Sequence, residues 1–293
     1  MAGPLIECVA NFSEGRDRAT VAAIEGAIRS VAGVRVLRSE MDTDHNRSVM
    51  TFVGPPEAIA ESALRGIEIA VERIDLRKHA GVHPRMGAAD VVPFVPLDGA
   101  TLADCVAIAR RTGEEVWKRF KVPVYFYEAA AFSPDRRLLE NCRRGGFENP
   151  RIAPDLGGPT LHPSAGACII GARKLLIAFN VNLKTDDVAV ARDIARKIRT
   201  SSGGMPFVKA LGLPLAERGL VQVSMNLTDF EQTPLHQVFD AVRREAAARG
   251  VEIAGSEIIG LIPKKTLEDA AAHYLQCENF ESRLVLENRL AED

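Results

Sequence analysis

The chain has 293 residues, of which 46% are hydrophobic and 26% are charged, and its formal net charge is −2. This composition is typical of a soluble globular protein, and the mildly acidic balance argues against a nucleic-acid-binding protein, which usually carries a basic surface. The length predicts two domains, because single hydrophobic cores stop growing near about 250–300 residues.

The cysteine pattern and the hydropathy indicate a compartment and exclude a membrane span. Five cysteines are scattered along the chain without a CxxC pair, which argues against disulfides and zinc and favours a reducing compartment. The first residues do not resemble a signal peptide, and no apolar run approaches the ~18–20 residues that span a membrane. We therefore expect a cytoplasmic protein.

The first half of the chain predicts the element order β-α-β-β-α-β. Apolar residues recur at helical spacing in two segments, one ending at Gly33 and one opened by Pro55 and Pro56. The predicted strands are 5–10, 34–41, 48–53 and 91–95. A helix at 102–120 and a strand at 122–127 follow, and residues 133–166 form a long irregular stretch, which is more often functional than filler.

The second half repeats this order. Strands are predicted at 175–183, 207–213, 219–228 and 251–259, with one helix capped at Thr185–Asp187, a second capped at Thr233–Pro234 and a helical tail at about 267–290. Two copies of one order predict an α+β protein made of two tandem ferredoxin-like (βαββαβ) subdomains, residues 1–174 and 175–293.

Polar residues alternate with apolar ones on the two predicted central strands of the second repeat. Because side chains alternate between the two faces of a strand, these polar residues should share the face that helices do not cover. A solvated sheet face is one explanation, and a polar wall facing a cleft or the other domain is the second. The residues are Asn180, Asn182, Gln222, Ser224 and Asn226.

The segment from Asp75 to Phe94 is dense in charge and contains two of the six histidines. His79 and His83 are four residues apart, but Gly81 and Pro84 make a shared helical face for a metal improbable. One histidine could act as a general acid/base, since imidazole titrates near neutral pH, or both could be structural loop residues. Spacing alone leaves these two alternatives open, and we expect no metal.

The turn from Asp42 to Arg47 is a second polar cluster. Turns rich in Asp and Asn are common for backbone reasons alone, so this cluster does not by itself indicate a site. The glycine-containing stretches lack the lysine and serine or threonine of a phosphate-binding loop, and no GxGxxG follows the first strand. The sequence therefore offers no support for nucleotide binding.

Nine motifs, in the same order along nearly the whole chain, resemble the glutamate formimidoyltransferase family. They are Cys8–Gly15, Asp44–Ser48, Thr51–Pro56, His83–Gly87, Asp90–Phe94, Val122–Tyr125, Gly171–Arg173, Val221–Ser224 and Gly255–Glu257. The resemblance implies two ferredoxin-like subdomains with a substrate cleft or tunnel between them, and a homodimer.

The resemblance also implies an activity. The family transfers the formimidoyl group of N-formimidoyl-L-glutamate, an intermediate of histidine degradation, to tetrahydrofolate, which gives formimidoyl-tetrahydrofolate and glutamate. Tetrahydrofolate would be the co-substrate, without a metal, a nucleic acid or a membrane as partner. The sequence matches the formimidoyltransferase portion only, so we expect a separate cyclodeaminase to process the product.

Site residues follow from the resemblance and from our own hypothesis. By resemblance, His83 is the catalytic histidine, and the folate-contacting loop is Gly157, Gly158, Pro159, Thr160, Leu161, His162, Pro163, Ser164, Ala165 and Gly166. As a hypothesis, we assign substrate binding to polar groups that can hold carboxylates or the pteridine edge. These are Asn11, Asp42, Asn46, Arg85, Asn182, Gln222 and Asn226.

One departure from the family pattern affects the catalytic motif. The family usually has glutamate before the histidine, and this chain has Val82, which would change the pKa or the position of the imidazole. A related formyl transfer between glutamate and folate therefore remains an alternative, as does a non-catalytic folate-binding homologue. A tandem RNA-binding protein is a third, although its central strands would carry aromatic residues.

Overall fold

The structure, a computed structural model, describes residues 3–43, 45–81 and 85–291. The chain divides between Lys174 and Leu175 into two compact units. None of the described helices is long and apolar enough to cross a membrane.

The first unit is built on a six-stranded sheet in the order β2-β3-β1-β4-β6-β5. The strands β2, β3, β1 and β4 pair antiparallel, whereas β6 pairs parallel with both β4 and β5. Its elements are β1 (Ile6–Phe12), α1 (Arg18–Arg29), β2 (Arg35–Asp42), β3 (Arg47–Gly54), α2 (Pro56–Arg73), β4 (Ala89–Pro96), α3 (Leu102–Phe120), β5 (Val124–Glu128), α4 (Leu139–Cys142) and β6 (Cys168–Ala172).

The central strand β1 shows how the sheet divides the first unit into two faces. Ile6, Cys8, Ala10 and Phe12 are buried in the main core together with apolar residues of α1, α2 and α3. The residues between them point to the opposite face, because side chains alternate along a strand. Glu7 and Asn11 therefore lie on the face that α1, α2 and α3 do not cover.

The second unit is built on a four-stranded antiparallel sheet in the order β10-β7-β9-β8. Helix α5 begins after Asp187, whose side chain accepts a hydrogen bond from the amide of Ala189. The elements are β7 (Ile177–Leu183), α5 (Val188–Ile198), β8 (Val208–Leu215), β9 (Leu220–Leu227), α6 (Leu235–Ala247), β10 (Ile253–Ile259), α7 (Lys264–Leu275) and α8 (Leu286–Leu290).

The predicted α+β class with a βαββαβ order in each half is confirmed. In both units the first and third strands of the repeat are central and the second and fourth flank them, which is the ferredoxin-like arrangement. The first unit extends this sheet by β6 and β5.

Two predictions about local structure are wrong. The sequence predicts no strand between 127 and 175, but β6 lies there, and because its apolar residues are buried on both faces it has no period-2 pattern. The predicted tail helix at 267–290 is two helices. Helix α7 ends at Leu275, because the next residue, Gln276, has a left-handed φ of 55° that cannot continue an α-helix.

Candidate active site

A buried carboxylate at the start of β4 holds the end of the charged segment. Asp90 is 1% exposed, and its Oδ1 accepts hydrogen bonds from the amides of Met86 at 2.7 Å and Gly87 at 3.3 Å. Its Oδ2 accepts a hydrogen bond from Arg143 Nη2 and lies 3.6 Å from Arg47 Nη1. Three chain segments therefore meet at one carboxyl group.

The charges around Asp90 keep this carboxylate ionised. Burial alone would raise its pKa, but the guanidinium groups of Arg143 and Arg47 and the amide of Met86 together hold the pKa below its usual value. A buried charge persists when it is paired and hydrogen-bonded in this way. Both oxygens of Asp90 are therefore occupied by donors of the protein, and the carboxylate does not accept a proton from a substrate near neutral pH.

Asn11 lies beside this ionic cluster on β1. Its Oδ1 accepts hydrogen bonds from Arg47 Nε at 3.0 Å and Arg47 Nη2 at 2.6 Å, and its Nδ2 donates to the carbonyl of Val9 at 2.9 Å. Arg47 is therefore fixed between an amide oxygen and a carboxylate. This fixes the polar end of β1, where our hypothesis places substrate contact at Asn11.

Asn46 connects the polar turn to the other end of the charged segment. Its backbone is left-handed with φ of 49°, its Oδ1 accepts from the amide of Gly15 at 3.0 Å, and its Nδ2 donates to the carbonyl of Ala80 at 3.0 Å. Its own carbonyl lies 2.9 Å from His79 Nε2, which therefore carries the proton. Both amide atoms of Asn46 are used to hold backbone in place.

Arg85 is anchored within the first unit. Its Nη2 donates to Glu148 Oε1 at 2.8 Å and to the carbonyls of Leu76 and His79, both at 3.2 Å. Its Nε is buried and has no hydrogen-bond partner in the described part of the chain. The predicted role of Arg85 toward a substrate carboxylate stays a prediction.

The loop at 157–166 lies directly against the charged segment. Gly166 forms an antiparallel bridge with Gly87, so the two predicted site segments share backbone hydrogen bonds although they are far apart in sequence. The bonds run from the Leu76 amide to the Ser164 carbonyl at 2.8 Å, from the Ala88 amide to the Ala165 carbonyl at 2.9 Å, and from the Ala167 amide to the Met86 carbonyl at 3.0 Å.

His162 has a defined tautomer within this loop. Its Nδ1 accepts hydrogen bonds from the amides of Ala165 at 3.0 Å and Ser164 at 3.4 Å, so the ring proton is on Nε2. Burial lowers the pKa of the imidazole. His162 is therefore neutral at physiological pH and offers Nε2–H as a donor.

Gly166 provides a direct test of this contact. It has φ of 69°, and a Cβ there would lie 2.1 Å from the carbonyl oxygen of Met86. At Gly203, with φ of 81°, a Cβ would meet nothing within 4 Å. We expect Gly203→Ala to cost about 1–2 kcal/mol from backbone strain. Gly166→Ala should cost a further ~1–3 kcal/mol because the segments must separate.

Urea unfolding of the two alanine variants measures this difference, and a folate titration tests whether only Gly166→Ala weakens folate binding. Equal losses of stability in the two variants would contradict a close contact between the two segments.

The helix-free face of the second sheet carries a separate polar cluster. Asn182 and Gln222 are opposite each other on β7 and β9, are 2% and 7% exposed, and share a hydrogen bond of 2.9 Å from Gln222 Nε2 to Asn182 Oδ1. Glu257 on β10 accepts from Asn182 Nδ2 at 2.8 Å and from Arg218 Nη1 at 2.9 Å. These hydrogen bonds lower the pKa of Glu257.

Two other predicted residues, Asn226 and Asp42, are exposed. Asn226 lies on β9, and Asp42 accepts hydrogen bonds from His45. The predicted catalytic residue His83 lies outside the described residues, as do Val82 and Pro84. On either side of them, Ala80 is held by Asn46, and Arg85 is held by Leu76, His79 and Glu148.

Sequence reasoning missed Asp90 and Glu257 as site residues. An aspartate at the head of a strand that is otherwise apolar was a usable signal, because a buried charge requires partners. Glu257 could be assigned to the polar face only from the pairing of β10 with β7, where it is opposite Asn180.

Two family models match the chain in succession. The model described as the formiminotransferase domain, N-terminal subdomain, matches residues 5–173, and the model described as the formiminotransferase domain matches residues 178–290. Together they cover nearly all of both units.

Individual relatives agree with the family models. A protein of Streptococcus pyogenes serotype M1 named glutamate formimidoyltransferase is 42% identical over 98% of both chains. A protein of the same name from Thermoplasma acidophilum is 45% identical over 98% of this chain and 97% of its own. The Mus musculus formimidoyltransferase-cyclodeaminase is 42% identical, and the match covers 94% of this chain but 53% of that protein. The chain therefore belongs to the formiminotransferase family.

Proposed function

We propose that this chain is a transferase that moves the formimidoyl group of N-formimidoyl-L-glutamate to tetrahydrofolate, releasing glutamate. The similarity that supports this assignment extends over almost the full length of two relatives named glutamate formimidoyltransferase. Tetrahydrofolate is the acceptor and leaves the enzyme as formimidoyl-tetrahydrofolate.

The structural observation that carries the proposal is the pairing of two segments. The charged segment and the loop at 157–166 are joined by the Gly87–Gly166 bridge, with Asp90 fixing the amides just beyond residue 84. A catalytic group and a folate-binding loop must be held together for a bimolecular transfer, since fixed geometry removes much of the entropic barrier.

The chemistry needs one group that takes a proton and returns it. A ring nitrogen of tetrahydrofolate forms a bond to the formimidoyl carbon, becomes cationic and loses its proton. The bond from that carbon to the glutamate nitrogen then breaks, and this nitrogen gains a proton. We assign both transfers to His83, because an imidazole that titrates near the working pH serves as base and then as acid.

The binding groups divide by chemistry. We assign folate contact to Gly157–Gly166, in which His162 supplies a neutral donor. We assign substrate contact to Asn11, Asp42, Asn46, Arg85, Asn182, Gln222 and Asn226. For Asn46 and Arg85 the hydrogen bonds within the first unit support a positioning role as well, since they hold the residues on either side of 82–84.

Partners and compartment complete the proposal. We propose a homodimer in the cytoplasm, and the five free cysteines agree with a reducing compartment. A cyclodeaminase consumes the product, in keeping with the double name of the mouse relative.

Turnover of purified protein with alternative donors tests the function. With tetrahydrofolate as acceptor, we expect release of glutamate from N-formimidoyl-L-glutamate, with kcat/KM about 100-fold or more above the value for N-formyl-L-glutamate. Both donors have the same glutamate carboxylates, so the ratio reports the group transferred. Faster turnover of the formyl donor would assign the chain to formyl transfer, and no turnover of either would leave a folate-binding homologue.

A further inference from the structure

A buried carboxyl group on β1 has no role in the chemistry described so far. Glu7 is 8% exposed and lies on the face of the first sheet that α1, α2 and α3 do not cover, the face that also carries Asn11. It is opposite Val53 of β3 and Val95 of β4, so its neighbours across the sheet are apolar. Carboxyl groups are almost never this deeply buried unless something pairs with them.

Glu7 differs from the other buried carboxyl groups of the described chain in lacking a partner. Asp90 accepts four hydrogen bonds and ion-pair contacts, and Asp229 accepts from the amide and the side chain of Gln232. Within the residues that the structure describes, the carboxyl of Glu7 makes no hydrogen bond and no close ion pair. Arg173 acts on it only through a longer-range attraction.

The raised pKa of Glu7 and the absence of a partner within the described residues are typical of a carboxyl group that binds a ligand. Burial raises its pKa, and the attraction of Arg173 opposes this only partly. The carboxyl oxygens are not among the fully buried polar atoms that lack a partner, so they reach the surface of this face, where a ligand can supply donors. Perturbed carboxyl groups in such positions are concentrated at functional sites.

The position of Glu7 relative to the charged segment indicates which part of a ligand it meets. Asn11 is four residues further along the same face, about 13 Å away at the usual rise of a strand. Arg47 and Asp90, which bind to Asn11 and to the amides of Met86 and Gly87, hold the charged segment at that end of β1. A flat fused ring with its reacting nitrogen near the segment would extend along β1 toward Glu7.

We propose that Glu7 binds the aminopyrimidinone edge of the reduced pterin, accepting hydrogen bonds from the ring N3–H and the 2-amino group. This inference rests on the proposed function, which makes a tetrahydrofolate the acceptor. Two adjacent N–H donors match the two oxygens of an ionised carboxylate as the fork of an arginine does. Such a pair also selects a pterin with its amino group over a flat ring that lacks one.

A binding experiment with an altered ligand tests the pair directly. Trp117 is the single tryptophan of the chain and lies against Gly157, so quenching of its fluorescence reports folate binding without turnover. We expect Glu7→Gln to weaken the binding of tetrahydrofolate about 10- to 100-fold, the range for a hydrogen bond to a charged group. The analogue with hydrogen in place of the 2-amino group should bind the variant and the parent with affinities within about threefold.

Controls show whether Glu7 binds the pterin or only stabilises the fold, and they test the proposed function separately. Glu57→Gln removes an exposed carboxylate on α2 and should leave both affinities unchanged. The thermal midpoint of Glu7→Gln should equal or exceed that of the parent, because a buried charge is lost. Equal tetrahydrofolate affinity in variant and parent, or equal weakening for both ligands, would overturn the assignment of Glu7. Absence of formimidoyl transfer by a parent that binds tetrahydrofolate would overturn the proposed function instead.

Discussion

Replacing Asp90 with alanine is expected to destabilise the first unit by about 3–5 kcal/mol, the usual cost of breaking a buried ion pair. The substitution leaves the guanidinium groups of Arg47 and Arg143 buried without their shared carboxylate. It also removes the acceptor for the amides of Met86 and Gly87. The free energy of unfolding in urea measures the first effect, and formimidoyl transfer measures the second.

The matched control for this substitution is Asp98→Ala. Asp98 follows the same strand but is exposed, so its loss should change the stability by no more than about 0.5 kcal/mol. If Asp90→Ala were as stable and as active as Asp98→Ala, the ionic cluster would not hold the charged segment. If Asp90→Ala remained folded at low temperature but had lost turnover, the position of the charged segment would depend on the Asp90 carboxylate.

The sequence predicts the two repeats because their periodicities are clear. Helical spacing in α2 and α5 and alternation in β7 and β9 are visible in one sequence, since each of these elements has one apolar and one polar face. Strand β6 has no such contrast because it is buried on both sides. A strand that is buried on both faces can be recognised only as a short apolar run, as β4 is, and Gly171 interrupts that run in β6.

The sequence predicts the segments of the candidate site but not the hydrogen bonds that join these segments. The charge and the histidines single out the segment from Asp75 to Phe94, and the resemblance adds His83 and the loop at 157–166, yet nothing in either segment indicates that Gly87 pairs with Gly166. Likewise, the side chain of Asn46 resembles any turn asparagine in sequence, while in the structure it joins Gly15 to Ala80. Such contacts depend on strand order and register, which single-sequence patterns do not determine.

The buried carboxyl groups of the described chain divide by their partners into two kinds. Asp90 and Asp229 have every oxygen occupied by donors of the protein, so they serve to hold structure. Glu7 makes no hydrogen bond within the described residues, so its carboxyl oxygens are open to the donors of a ligand, and burial raises its pKa.

Replacing His83 with alanine is expected to lower kcat for formimidoyl transfer about 10²- to 10⁴-fold, the range for losing a general acid/base. Affinity for tetrahydrofolate should change by less than about threefold, because the proposed contacts of the folate lie in the loop at 157–166 and at Glu7. Stopped-flow turnover and Trp117 quenching measure the two quantities on the same preparation.

A pH profile shows whether His83→Ala lowers kcat by removing a proton-transfer group or by disturbing the local structure. The parent should lose kcat/KM toward acid pH, because His83 must be unprotonated to accept a proton, and the residual activity of His83→Ala should lack this acid limb. His273→Ala, which removes an exposed histidine on α7 paired with Asp240, is the control and should retain the full profile. If His83→Ala kept turnover within a few-fold of the parent, the proton would pass through another group, and the assignment of both transfers to His83 would be wrong.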